Sequence, residues 1–201
     1  KDDISNSVNS TSTTKVITSN GNVAASSVSS NFYNGSFNFD GTGDYLTTPN
    51  AADFDFGTGA YTLEMWIRTT SDAGWLFFNA SNNSGLRVCV GSNGASSPNA
   101  GQIEFNEQVS NVDDYIRGTS RVDDGSWHHV AICRGSSGGT RLYVNGNLEV
   151  TGSSGRNFDN NNTINFGARD GLSGAELNGQ MQDVRIYKGV AKYTSNFVVA
   201  S

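Results

Sequence analysis

Residues 61–68 alternate strictly, with Tyr61, Leu63, Met65 and Ile67 on one side and Thr62, Glu64, Trp66 and Arg68 on the other. A period of two is the signature of a half-buried β-strand, so the first set is expected to line a core. Similar runs recur at short, regular intervals, at 36–39, 44–47, 75–79, 86–90, 102–105, 115–119, 128–134, 141–144, 163–166 and 181–187. Gly, Asn and Ser turns separate them, which predicts an antiparallel two-sheet sandwich rather than a helical or mixed fold. Phe37, Phe39, Leu46, Phe77, Leu142, Val144, Phe166, Val184 and Ile186 complete the expected core. Residues 128–134 leave their inward side open. His128, Val130, Ile132 and Arg134 alternate there against Trp127, His129, Ala131 and Cys133, and neither set is cleanly apolar. A Gly/Ser turn at 135–139 and the pair Asn145-Gly146 mark successive reversals of the chain.

Residues 1–30 form a polar arm rich in Ser, Thr and Asn, with a strand candidate at 15–18 and a turn at Asn20-Gly21-Asn22, ahead of one domain over 31–201. The 201 residues suit a single all-β core, with 24 Gly against 2 Pro and charged residues at only 16%. The net charge of −6 and the absence of a basic stripe argue against a nucleic-acid partner. No apolar run is long enough to span a bilayer, so membrane insertion is not expected and the chain is predicted to be soluble. Lys1 in place of an initiator Met suggests a mature form or one region of a longer polypeptide. Cys89 and Cys133 both lie in strand-like runs and are read as buried free thiols; a disulfide would need their Cα atoms within about 7 Å.

Catalysis finds little support. A retaining glycosidase needs two carboxyl groups about 5–5.5 Å apart on one face. Glu104 and Glu107 are three positions apart and point to opposite faces of a regular strand. No Gly-x-Ser-x-Gly context accompanies His128 or His129, and those adjacent histidines cannot share one metal from a strand. Calcium is better served, because the turns at 40–44, 53–55, 113–114, 123–125 and 159–162 are rich in oxygen donors. Sugar binding needs aromatic faces with polar groups beside them. Trp75, Tyr115, Arg117, Asn82, Asn83, Asn161, Arg169 and Asp170 supply that chemistry. Trp66 and Trp127 are expected to pack on the sheet, whereas Trp75, in an Ala-Gly-Trp turn, is expected to be partly exposed.

The segments Phe39-Asp40-Gly41-Thr42-Gly43-Asp44-Tyr45-Leu46, Trp127-His128-His129-Val130 and Asp183-Val184-Arg185-Ile186-Tyr187 resemble the laminin G-like branch of the concanavalin A-like jelly rolls. The resemblance covers about residues 30–198 and extends to closing segments of marine phage structural proteins. It implies an all-β, two-sheet antiparallel jelly-roll sandwich. It also implies a structural calcium at Asp183, with Asp40 or Gly41 as partners; alternatively, Asp40 and Asp44 cap a hairpin turn. The implied role is a non-enzymatic carbohydrate-binding or adhesion module on a virion surface or in an extracellular setting. Its partners would be glycans or polysaccharide. The alternative is an assembly subunit that contacts other virion or surface-structure chains, and a glycoside hydrolase or polysaccharide lyase ranks last.

Overall fold

A computed structural model describes residues 14–81, 84–92, 98–153, 156–158, 162–169 and 174–200. Within them run β1 (Thr18–Asn20), β2 (Ala24–Ser26), β3 (Ser36–Asp40), β4 (Tyr45–Thr47), β5 (Tyr61–Thr69), β6 (Gly74–Ser81) and β7 (Ser84–Val90). The series continues with β8 (Gln102–Val109), β9 (Val112–Arg121), β10 (Trp127–Arg134), β11 (Gly139–Val144), β12 (Asn147–Ser153), β13 (Asn165–Phe166) and β14 (Asn178–Lys188). One 3-10 turn, Ala52–Phe54, is the helical element among the described residues. The strands form two seven-stranded sheets, ordered β1-β4-β13-β6-β7-β8-β9 and β12-β11-β10-β5-β14-β3-β2. Every named pairing is antiparallel, as the jelly-roll expectation requires.

Alternation set the inward faces where it was clean. Tyr61, Leu63, Met65 and Ile67 are all buried, and they pack with Val130 and Ile132 against Phe77, Val88, Ile103 and Phe105 of the other sheet. Three differences from the expected strands have local causes. The strand candidate at 15–18 shifts to β1, because Lys15 turns inward to pair with Asp53 while Val16 stays 72% exposed. β8 runs on to Val109 because its polar positions are buried and bonded rather than solvated. β12 follows the Asn145-Gly146 turn as an edge strand whose mixed polar sequence carries no strong period. The polar arm supplies an edge strand to each sheet: β1 pairs with β4, and β2 with β3.

The open edges of the two sheets are clasped together. Glu149 of β12 accepts hydrogen bonds from both the backbone N–H and the hydroxyl of Thr119 and of Ser120, all on β9. Close approach is possible there because Gly152 carries no side chain; a Cβ would stand 2.3 Å from Cγ2 of Ile116.

The inter-sheet core contains a charge. Arg134 of β10 is 1% exposed and donates to the carbonyls of Gly57, Gly59 and Arg156 at 2.7–3.0 Å, with its guanidinium over the rings of Tyr61 and Phe158. Glu107 of β8 faces it from the other sheet at 3.9 Å and accepts a 2.8 Å hydrogen bond from the Tyr61 hydroxyl. Burial dominates its titration and pushes its pKa up to about 7.

The outer face of the second sheet is covered by residues 189–200. Lys192 Nζ and the Tyr193 hydroxyl each donate at 2.7 Å to Glu64, which is 3% exposed although it lies on the outward side of β5. Tyr193 and Phe197 stack at 3.5 Å and close over Ala131, Cys133 and Tyr143. Gly146 is required beneath them, since its φ is +78° and a Cβ would meet the Phe197 carbonyl oxygen at 2.1 Å. His129 sits under the same cover, edge-on to Trp66 and Phe197, and burial lowers its pKa to about 4. His128 faces the other way, bonded to Asp124 and Asn145 at 2.9 and 3.0 Å. Cys133 lies under this cover and Cys89 on the outside of the opposite sheet, so the two buried thiols form no disulfide.

Glu107 and His129 should oppose one another in pH titrations. Raised from 4.5 to about 7, Glu107 contributes stability that is full below pH 4.5 and lost as pH rises through 7. Lowered from 6.5 to about 4, His129 contributes stability that is full above pH 6.5 and lost as pH falls through 4. Each limb is on the order of 3 kcal/mol, so unfolding midpoints should stay nearly level between about pH 4.5 and 6.5. Glu107→Gln should unmask a midpoint that climbs with pH over that window, and His129→Gln one that falls. Urea titrations at four pH values would check both, and parallel profiles for all three proteins would contradict the assignment.

Candidate binding face

Four strands of the first sheet present one face made by alternation. In β7, Leu86, Val88 and Val90 point into the core, which sends Arg87 and Cys89 outward; in β8, Ile103, Phe105 and Glu107 point inward, which sends Glu104, Asn106 and Gln108 outward. A two-residue turn, Ser110-Asn111, joins β8 to β9 with φ of 52° and 65°, and the register then places Asp113, Tyr115 and Arg117 outward. In β6 a bulge between Trp75 and Phe77 shifts the phase, so that Trp75 and Phe78 both face out.

The register arranges these side chains in rows across the sheet. Trp75, Cys89, Glu104 and Arg117 are successive cross-strand partners, and so are Phe78, Arg87, Asn106 and Tyr115. Gly85, Gln108 and Asp113 continue a third row. With strands about 4.8 Å apart and same-face residues about 7 Å apart, each row of four spans about 14 Å. That is the scale of two to three pyranose rings.

The rows are polar yet largely desolvated. Glu104 is wholly buried, accepting from Arg117 Nε at 2.7 Å and from the Ser92 hydroxyl at 3.0 Å. Arg117 lies 4.6 Å above the Tyr115 ring, with its side chain 41% exposed. Asn106 and Gln108 donate to Asp113 at 2.7 and 2.9 Å. Arg87 donates to Gln108 and lies 3.8 Å from Asp113, above the Phe78 ring, and burial lowers its pKa. Glu104 and Asp113 stand on adjacent strands two rows apart, on the order of 14 Å, while Glu107 is on the core side. None of these pairs has the spacing that glycoside hydrolysis requires.

Of the residues predicted from sequence, Trp75, Tyr115 and Arg117 come together on this face. Arg169 follows β13 and is exposed; its charge is felt at Arg87. Trp75 corrects the expectation of exposure. It is 2% exposed, packed edge-on to Phe78 with Cys89 and Ala175, because the bulge and the Ala175 segment enclose a position that read as a turn. Asn82, Asn83, Asn161 and Asp170 lie outside the described residues. Arg87, Asn106, Gln108 and Asp113 were missed, although the run Leu86-Arg87-Val88-Cys89-Val90 already carried the signal of a lone charge alternating with apolar residues.

The oxygens expected for calcium do not converge. Asp40 pairs with Asn178, and Asp183 lies five residues further along β14, on the order of 15 Å away, where it pairs with Arg185 at 2.8 Å. Asp40, Gly41 and Asp183 therefore do not fit one ion. Asp44 instead accepts from the N–H groups of Asn22 and Asp40 at 2.7 and 3.0 Å. Asp40 accepts from the Thr42 N–H and the Asn22 amide at 2.8 and 3.1 Å. These carboxylates cap the turn, and they also hold the polar arm to it. Among the described residues, no group of three or more His, Cys, Asp or Glu side chains is placed to hold a metal ion.

A family model described as the concanavalin A-like lectin/glucanases superfamily matches residues 40–192. Similar solved structures include the binding domain of Paraclostridial Mosquitocidal Protein 1, with a TM-score of 0.69 at 16% identity, covering 88% of this chain and 45% of that one. The receptor-binding domain of botulinum neurotoxin D has a TM-score of 0.67 at 18% identity, over the same 88% and 45%. The binding domain of botulinum neurotoxin DC in complex with SialylT has a TM-score of 0.63 at 16% identity, over 88% and 44%. This chain thus spans less than half the length of those proteins, and at such identities the likeness is one of fold. No curated protein matches the sequence.

Asp44→Ala removes the acceptor for two backbone N–H groups, and is expected to cost about 2 kcal/mol. Chemical denaturation should show a lower midpoint with an unchanged slope, and an unchanged midpoint would refute the capping role.

Proposed function

The chain belongs to the concanavalin A-like lectin/glucanases superfamily, and from that premise we propose that it is a non-enzymatic carbohydrate-binding module whose ligand lies across β6–β9. The observation that carries this reading is the register. It sets the Arg117–Tyr115 platform beside Asn106, Gln108 and Arg87 in rows that match the dimensions of a short oligosaccharide. Aromatic and guanidinium faces cover the apolar face of a sugar ring, while amides and carboxylates bond its hydroxyls. The spacing of the carboxylates on this face favours binding over hydrolysis.

Two similar proteins are consistent with a glycan ligand: one botulinum neurotoxin domain is in complex with SialylT, and the cell entry of neurotoxin type C depends on two ganglioside molecules. Those are properties of longer proteins, and they enter here as support for a proposal. Display on a virion or other surface follows from the resemblance of the closing segment to phage structural jelly rolls. No helix among the described residues is long and apolar enough to cross a membrane. A second reading, an assembly subunit, is favoured by the loop between β2 and β3. Tyr33 and Val28 there are 83% and 94% exposed, and Tyr33 and Asn34 both have positive φ.

Glycan-array binding by the purified protein is the test. Saturable binding that falls at least tenfold in Tyr115→Ala and Arg117→Ala, with circular dichroism unchanged, is the expected result. A folded protein that binds no glycan and sediments as an oligomer disrupted by Tyr33→Ser would establish the second reading instead.

A further inference from the structure

The sugar-binding reading of β6–β9 can be taken further, because the groups on that face are unevenly matched. Two buried donors there have no hydrogen-bond partner among the described residues: the indole Nε1 of Trp75 and the Nε of Arg87. Trp75 is 2% exposed, and the Arg87 side chain 17%. They lie on adjacent strands in neighbouring rows. Both groups are donors only, and a buried donor without an acceptor is costly.

Three guanidinium groups stand on or beside this face. Arg87, Arg117 and Arg169 share it with the outward carboxylates Glu104 and Asp113, in a chain where carboxylates outnumber Lys and Arg by 19 to 13. Glu104 is already engaged by Arg117 and Ser92, and Asp113 by two amides. Neither carboxylate bonds the free Nε of Arg87. A neutral hydroxyl would satisfy one donor; an anionic group would satisfy donors and also offset the charge.

We propose that this face selects glycans bearing a carboxylate, with the acidic group received at Arg87 Nε beside the Trp75 indole and the sugar ring lying toward Arg117 and Tyr115. The proposal rests on the sugar-binding reading above. A sulfate ester offers similar acceptors, so the ligand series must separate the two anions.

Calorimetric titration would use an oligoglucuronate, the same oligosaccharide with its carboxyl groups reduced to alcohols, and a sulfated neutral glucan. The oligoglucuronate is expected to bind at least tenfold more tightly than its reduced form and than the sulfated glucan. Arg87→Gln should abolish that difference. Trp75→Phe, which keeps a buried ring and removes only the donor, should weaken the acidic ligand several-fold more than the reduced one. Equal affinity for the acidic and reduced forms would overturn the carboxylate proposal and leave the sugar-binding reading standing. Tighter binding of the sulfated glucan would overturn it in favour of the other anion. No binding to any of the three, with neutral glycans retained on the array, would also overturn it; no binding on the array would remove both readings.

Discussion

Arg134 is buried between the two sheets, and much of the molecule is arranged so that this charge can be there. A guanidinium removed from water must have its donors matched, or the fold loses more than packing returns. Four hydrogen bonds to carbonyls of the 57–59 and 156 segments meet that need, and two aromatic rings cover its faces. Glu107, opposite, takes the hydroxyl of Tyr61, so three strands from two sheets share one polar cluster inside an apolar core. The period of two then carries the effect outward. With Glu107 turned in, Glu104, Asn106 and Gln108 alternate between inward residues and lie on the outer side of their sheet; with Arg134 turned in, His129, Ala131 and Cys133 face the covering segment. The composition of both outer faces is thus tied to a charge in the interior.

Much of this was legible along the chain, and where it was not, the reason is physical. β5 could be assigned residue by residue because one of its sides is purely apolar. β10 could not: its inward side includes His128 and Arg134, whose burial depends on partners 57–59 and 124 that no local pattern reveals. Glu64 illustrates the opposite failure. Alternation places it outward, which is correct, yet it is buried because Lys192 and Tyr193, some 130 residues later, fold over it.

The binding face was half visible. Tyr115 and Arg117 stood out as an aromatic and a cation two positions apart on one strand. That Arg87 and Asn106 would flank Tyr115 depends on strand pairing, which is a property of register and not of composition. Trp75 reads as exposed because its cover is not local: Phe78, turned outward by the bulge in β6, and Ala175, a hundred residues later, pack over it. Asp40 and Asp44 are open to two readings from sequence, and their hydrogen bonds to backbone N–H groups fit the turn cap.

The covering segment at 189–200 has a consequence for how the chain is made. Its bonds reach Thr62, Glu64, Gly146 and Leu148, all of which leave the ribosome earlier. Until residues 192–197 emerge, a nascent sandwich leaves Glu64 without its two shortest hydrogen bonds and holds bare aromatic rings on one flank. A chain interrupted between residues 188 and 192 would carry all fourteen strands and still display those groups, a surface that chaperones and proteases can recognise. The segment thereby decides, late in synthesis of this sandwich, whether that flank is hidden.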